Sequence, residues 1–168
     1  MATLVLVHGA WAGGWQWKEV ASFLRTAGHE VYTPTLTGLG ERVHLANPDI
    51  NLYTHIQDIV GVLEYEDLHD VILVGYSYSG VVVTGVAEWA PERLSQIIYL
   101  DAFVPEYGQS FADILGVEVM AILQKASEIY GDGWLLPNPQ PNDPREVPHP
   151  VKTGLQPIAV KNPTAASI

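Results

Sequence analysis

Along the chain, short runs that are apolar at nearly every position alternate with longer stretches whose apolar residues recur every three to four positions. Runs of strand length that are apolar throughout fit strands buried on both faces, and the longer period fits helices packed against them. The alternation reads as a parallel sheet with crossover helices. Strands are expected near Thr3–Val7, Glu30–Thr33, Val71–Gly75 and Gln96–Leu100. A first helix, Trp15–Thr26, places Trp17, Val20, Ala21, Phe23 and Leu24 on one broad face and stops at Gly28. A second, Leu52–Leu68, is capped by Asn51 and carries Ile56, Ile59, Val60 and Leu63 at helical spacing. The third runs from Val81 to Trp89, ahead of Pro91, and the fourth spans Phe111–Tyr130 with Ile114, Leu115, Val119, Ile122 and Leu123 on one stripe. From Gly131 onward, prolines between Pro137 and Pro163 break any regular element, so an irregular or extended tail is expected. The fold class is therefore α/β: an open parallel sheet in the order 2-1-3-4 with helices on both faces. Residues 1–108 form the core, and residues 109–168 form a helical and Pro-rich cap segment of the same domain.

Composition narrows the function. With 168 residues, 48% hydrophobic content and a mean hydropathy of +0.12, the chain has enough apolar material for one ordinary core. A formal net charge of -11 and a pI near 4.7 make a phosphate backbone or an anionic membrane an unfavourable partner, so no nucleic acid and no membrane are expected. The sequence has no cysteine, which removes disulfides, thiolate metal sites and a cysteine nucleophile. Its start has no basic leader, and its first apolar run is too short for a signal peptide, which gives a cytoplasmic expectation. The acidic residues between Asp49 and Asp70 lack a two-histidine ligand spacing and read as a solvated face, so no metal is expected. Gly13-Gly14 and Gly38-Leu39-Gly40 make neither a GxGxxG turn nor a P-loop, and no cofactor is expected.

The chemistry concentrates in Gly75-Tyr76-Ser77-Tyr78-Ser79-Gly80, between the apolar run Val71–Val74 and the third helix. This is the pattern of a nucleophile elbow, in which a sharp strand-to-helix turn lifts one serine above the sheet and demands small residues two positions to either side. Gly75 and Ser79 meet that demand around Ser77, whereas centring the turn on Ser79 would place β-branched Val81 at a crowded flank. In an open sheet of order 2-1-3-4, ligands bind outside the carboxyl ends of the first and third strands. Those ends are His8-Gly9-Ala10-Trp11 and the Ser77 elbow, so two independent features meet at one crevice. The backbone N–H groups of Ala10 and Tyr78 are the expected oxyanion donors.

The segments LVLVHGAW with GGWQW, TPTLTGLGER, VILVGYSYSG, IIYLDAFVPEYGQS and the cap-like VPHPVKTGLQP carry a resemblance over nearly the whole chain. The chain resembles α/β-hydrolases of the group that contains plant methylesterases, hydroxynitrile lyases and small bacterial esterases. The resemblance implies a serine hydrolase fold with Ser77 as nucleophile and Ala10 and Tyr78 as oxyanion donors. Tyr76 stands where that group usually has His, Ser79 where it has Gly, and Ala12 where many members have His. Members also continue into two further strands that bear the catalytic Asp and His. This chain stops at Ile168, so the usual triad is not expected within it.

Any substitute partners for Ser77 must come from the remaining residues. Asp101 follows the fourth strand, where an acid stands in some of the superfamily, and otherwise reads as a loop carboxylate bonding nearby amides. His149, between Pro148 and Pro150, is the histidine best placed by chain order to act as base over Ser77. Three functions follow. The first is a serine-dependent carboxylic ester hydrolase acting by acyl transfer on a small apolar ester. The second is a catalytically incomplete or binding protein that keeps the pocket. The third is a hydroxynitrile lyase-like enzyme, against which Gly9 counts because those lyases carry Thr there. An exposed apolar edge on the fourth strand is expected either to pair with a second copy, giving a homo-oligomer, or to be covered by the Pro-rich tail.

Overall fold

Side-chain alternation along the first strand decides which helices lie on which face of the sheet. In the computed structural model, which describes residues 1–159, 161 and 168, β1 spans Thr3–Val7. Val5 and Val7 point to one face, and Leu4 and Leu6 point to the other, as the two-residue period of a strand requires. β1 pairs in parallel with β2 (Glu30–Tyr32) on one side and with β3 (Val71–Tyr76) on the other. β4 (Leu94–Leu100) lies beyond β3, giving the order β2-β1-β3-β4 expected from the sequence. The reversal of strand order therefore falls between β1 and β3, above which the chemistry-bearing loops stand.

The face bearing Val5, Val7 and Leu73 is covered by α2 (Leu52–Tyr65) and α3 (Ser79–Trp89). α3 is buried along nearly its whole length, and Val81, Val82, Val83 and Val86 are sealed from solvent. α2 starts where Asn51 caps it: the Asn51 side chain accepts from Thr54 N–H, and Thr54 Oγ1 accepts from Asn51 N–H, both at 3.2 Å. The opposite face packs Leu4, Leu6, Val31 and Val74 against Trp17 and Ala21 at the start of α1 (Lys18–Thr26). Only part of the expected apolar face of α1 is used. Phe23 is 76% exposed and Val20 44% exposed, because a three-residue β2 leaves little sheet for the outer half of that face to cover.

Three expectations need correction. The second helix ends at Tyr65, and the chain turns back through Asp67 at φ +50 before Leu68. The fourth helix is two: Gly116 takes φ +86, a left-handed conformation that ends α4 (Phe111–Leu115) and redirects the chain into α5 (Val117–Tyr130). The tail contains a small antiparallel pair, β5 (Leu135–Leu136) with β6 (His149–Pro150), followed by α6 (Lys152–Leu155). Pro163 lies outside the described residues.

The described residues of this tail do not shield β4. Among the described residues β4 pairs with β3 alone, and Ile98, Tyr99 and Leu100 are 38%, 36% and 46% exposed. The tail instead crosses the carboxyl ends of the strands. Val147 N–H donates to Trp11 O at 2.9 Å, and Trp11 Nε1–H donates to Leu136 O at 2.8 Å.

The core and the unused face of α1 predict opposite outcomes for truncation. Ile59→Ala, at a fully buried α2 position, is expected to cost about 2–5 kcal/mol in urea unfolding. Phe23→Ala, at its exposed position, is expected to stay within about 0.5 kcal/mol of the parent. Equal losses at the two positions would contradict this packing.

Candidate active site

β3 passes into α3 through Ser77, whose backbone takes φ +52. A non-glycine residue in that region is strained and persists only where its surroundings fix it. Here Ser77 N–H donates to Leu100 O at 3.4 Å, and Phe103 N–H donates to Ser77 O at 3.1 Å, strapping the turn to the end of β4. Nothing larger than hydrogen fits at two flanking positions. A Cβ on Gly75 would lie 2.7 Å from Val83 Cγ2 and 3.0 Å from Ser79 O, and one on Gly80 would lie 2.3 Å from Phe103 O. Ser79, which the sequence shows only as a departure from glycine, is a pin. Its buried Oγ accepts from Tyr76 N–H at 2.7 Å and lies 2.8 Å from Val7 O, tying the elbow to β1.

Ser77 lines a cavity of about 330 Å³ together with Ala10, Trp11, Tyr78, Phe103 and His149. Its remaining wall comes mostly from apolar residues of α4, α5 and the β5–β6 segment, with Gln124 a polar exception, and it contains no lysine or arginine. Ser77 Oγ makes no hydrogen bond among the described residues, and neither does the N–H of Ala10 or of Tyr78. A free hydroxyl and two free amide donors on one apolar cavity are the parts that acyl transfer uses: a nucleophile, and donors for the charge that develops on a carbonyl oxygen.

The structure does not join Ser77, Asp101 and His149 by hydrogen bonds. Asp101 is exposed at φ +44 and outside the cavity lining, and among the described residues its carboxylate bonds no loop amide. His149 reaches the cavity, but both its ring nitrogens are engaged elsewhere. Nδ1 faces Trp11 N–H at 3.5 Å, and Nε2 lies 2.8 Å from Thr153 Oγ1, whose own hydrogen is directed to Pro150 O at 2.7 Å. That pattern makes Nε2–H the donor and the ring neutral. No group of three or more His, Cys, Asp or Glu among the described residues is placed to hold a metal ion.

Two other buried histidines are fixed in the same way. His8 Nε2 accepts from Leu36 N–H at 3.0 Å, which leaves Nδ1–H to donate to Gly9 O at 2.8 Å. His55 Nε2–H donates to Thr37 O at 3.0 Å, so Nδ1 accepts from the Tyr78 hydroxyl at 3.0 Å. Thr37 is held in turn by Asp58, which accepts from its N–H and its hydroxyl, each at 2.7 Å, and from Arg42 at 3.2 Å. His55 was legible from the sequence only as a helical residue. The signal that marks its role is tertiary, since Tyr78 and Thr37 come from other parts of the chain. Burial lowers His8 and His55 to about 4, holds His149 well below the ordinary imidazole range, and pushes the Tyr78 phenol above its usual range.

These directions give a pH dependence with a definite sign. An imidazole whose folded pKa lies below its unfolded value of 6.5 favours folding fully above 6.5, and that stability is lost as pH falls toward 4. For His8 the loss is on the order of 3 kcal/mol. Easing of the -11 charge repulsion acts in the opposite sense over the same range, so the test must isolate one imidazole. Gln at position 149 can donate to Thr153 and accept from Trp11 without titrating. His149→Gln is therefore expected to take up about one proton fewer on unfolding between pH 6 and 5, a slope difference approaching about 1.4 kcal/mol per pH unit in urea titrations. Identical slopes for the two proteins would show that His149 is not buried neutral.

Comparison with known proteins agrees with this architecture. The chain is 52% identical over 126 residues to a carbendazim hydrolyzing esterase of Nocardioides sp. (strain SG-4G), covering 75% of this chain and 49% of that protein. It is 32% identical over 106 residues to an alpha-hydroxynitrile lyase of Arabidopsis thaliana, covering 61% of this chain and 40% of that one. The chain thus spans less than half the length of these curated relatives. Among solved structures, an extracellular alpha/beta-hydrolase from a Paenibacillus species superposes with a TM-score of 0.88 at 28% identity, over 100% of this chain and 74% of that one. A model described as the alpha/beta hydrolase family matches residues 4–163, and the chain belongs to the α/β-hydrolase family.

Proposed function

We propose that the chain carries the nucleophile, oxyanion donors and substrate cavity of a serine-dependent carboxylic ester hydrolase that acts by acyl transfer on small, apolar esters. The observation that carries this reading is the Ser77 hydroxyl, held at a left-handed turn on the same cavity as the amides of Ala10 and Tyr78, all three without a hydrogen-bond partner among the described residues. Ser77 Oγ attacks the ester carbonyl, and the two N–H groups receive the negative charge that gathers on its oxygen. Each such donor is worth a factor of roughly 10² in rate. The cation-free wall suits a neutral, apolar ester. A relative named as a carbendazim hydrolyzing esterase supports ester chemistry for this cavity.

Acylation also needs a base within hydrogen-bond reach of Ser77. We do not assign that role to His149, the base candidate from the sequence, nor the orienting acid's role to Asp101. His149 would have to give up Thr153 or Trp11 to accept a proton, and Asp101 stands outside the cavity. A second reading, a binding protein that keeps the pocket without turnover, is favoured by that same engagement of His149. The lyase reading draws support from the Arabidopsis relative, but position 9 offers little room for a hydroxyl-bearing side chain. A Cβ there would lie 3.1 Å from the Tyr76 ring and 3.4 Å from Ser77 Cβ.

Labelling with an active-serine fluorophosphonate, read by mass spectrometry and run with and without added imidazole as a diffusible base, separates these readings. The label is expected on Ser77, to form faster with imidazole, to be absent from Ser77→Ala, and to form within about threefold of the parent rate in His149→Gln, given that an engaged base contributes little of the usual ~10²–10⁴. No label at Ser77 under either condition would leave the binding reading in possession of the cavity. A loss of a hundredfold in His149→Gln would restore His149 as the base.

A further inference from the structure

A second depression, also of about 330 Å³, opens on the surface beside the Ser77 cavity, and the two share Met120 and Gln124 of α5. The sharing follows from helical geometry. At 3.6 residues per turn, the α5 side chains come around the axis in the order Val119, Leu123, Met120, Gln124, Val117, Ala121. Val119 and Leu123 line the Ser77 cavity only, and Val117 and Ala121 line the second depression only. Met120 and Gln124 stand between them as a wall one side chain thick. The break at Gly116 makes room for the depression, because α4 and α5 diverge there and small residues, Ala112 and Ala121, line the gap.

We propose that Met120 and Gln124 set the upper length of the apolar group the site accepts, and that the tail of a longer ligand passes over Met120 into the depression lined by Ala112, Gly116, Val117 and Ala121. The proposal rests on the Ser77 cavity being the ester-binding site, and it adds which residues select among esters. A first cavity of about 330 Å³ is at the small end of the roughly 300–1,000 Å³ usual for small-molecule sites, so a long chain must find space elsewhere. Met120 suits a wall of this kind. Its three rotatable bonds and soft thioether let it close against a short ligand and fold aside for a long one at low cost. Gln124 adds the one amide at the seam, at the point where a chain would leave an apolar wall for a more open surface. Asp113 also lines the depression, where its carboxylate accepts from the backbone N–H and the hydroxyl of Ser110 at the start of α4.

The test compares binding of n-butanol and n-decanol, followed by tryptophan fluorescence with Trp11 in the cavity wall, in the parent chain, Met120→Ala, Met120→Trp and Ala121→Trp. Binding of an alcohol needs no reaction at Ser77, so the readout does not depend on turnover. The decanol-to-butanol affinity ratio is expected to rise at least fivefold in Met120→Ala and to fall at least fivefold in Met120→Trp. Ala121→Trp fills the depression from its far side, at an exposed position outside the buried core, and is expected to lower the ratio by a similar factor. A ratio that is the same in all four proteins, or that ignores Ala121→Trp, overturns the proposal, as does failure of the parent to bind either alcohol. Turnover of the p-nitrophenyl esters of butyrate and decanoate is measured alongside. Shifted binding ratios without any Ser77-dependent turnover would sink the esterase reading while leaving the wall in place.

Discussion

A single left-handed residue, Ser77, sets the terms for everything around it. The turn from β3 to α3 is too sharp for an ordinary backbone, and its strain, on the order of 1–3 kcal/mol, has to be balanced by contacts that exist only in the folded chain. Those contacts are distributed over three strands. Leu100 and Phe103 hold the turn from β4, Ser79 pins it toward Val7 of β1, and the hydrogen-only positions 75 and 80 let Val83 and Phe103 close on it. The nearly complete burial of α3 follows from the same geometry, because a helix launched from the middle of the sheet runs along its face and meets α2 at once.

Polar groups buried beside the turn would be costly if any were left without a partner. For the buried histidines His55 and His149 the chain avoids that cost with linear sequences of bonds. From Arg42 through Asp58, Thr37 and His55, one sequence ends on the Tyr78 hydroxyl and so fixes the residue whose amide is the proposed oxyanion donor. Another runs from Pro150 through Thr153 and His149 to the Trp11 amide. Three neutral imidazoles inside one small region are stable only while each ring has one donor and one acceptor satisfied. The engagement that makes His149 a good structural residue is the same engagement that withholds it from Ser77.

The sheet order and the elbow were legible in the sequence because their signals are local. Continuous apolar runs mark β1 and β3, and Gly75, Ser79 and Gly80 show their steric demand within six residues. The split at Gly116 was hidden by an apolar stripe that continues across it, since periodicity does not register a change in axis direction. Phe23 keeps helical spacing yet faces solvent, because a strand of three residues offers it nothing to cover. The β5–β6 pair joins residues far apart in a Pro-rich tail, and its main anchor is Trp11, more than a hundred residues away. His55 and Thr153 likewise acquire their roles only from partners that the fold brings to them.

The absence of lysine and arginine from the cavity wall has a consequence for direction. Hydrolysis of an ester turns a neutral ligand into a carboxylate. On the proposed reading, an apolar wall in a chain of net charge -11 holds the neutral ester and offers the anion no cation, only the amide donors of Ala10 and Tyr78. On that reading, the surface that admits the substrate holds the acid product less well, and the charge that the reaction would create favours clearing the cavity.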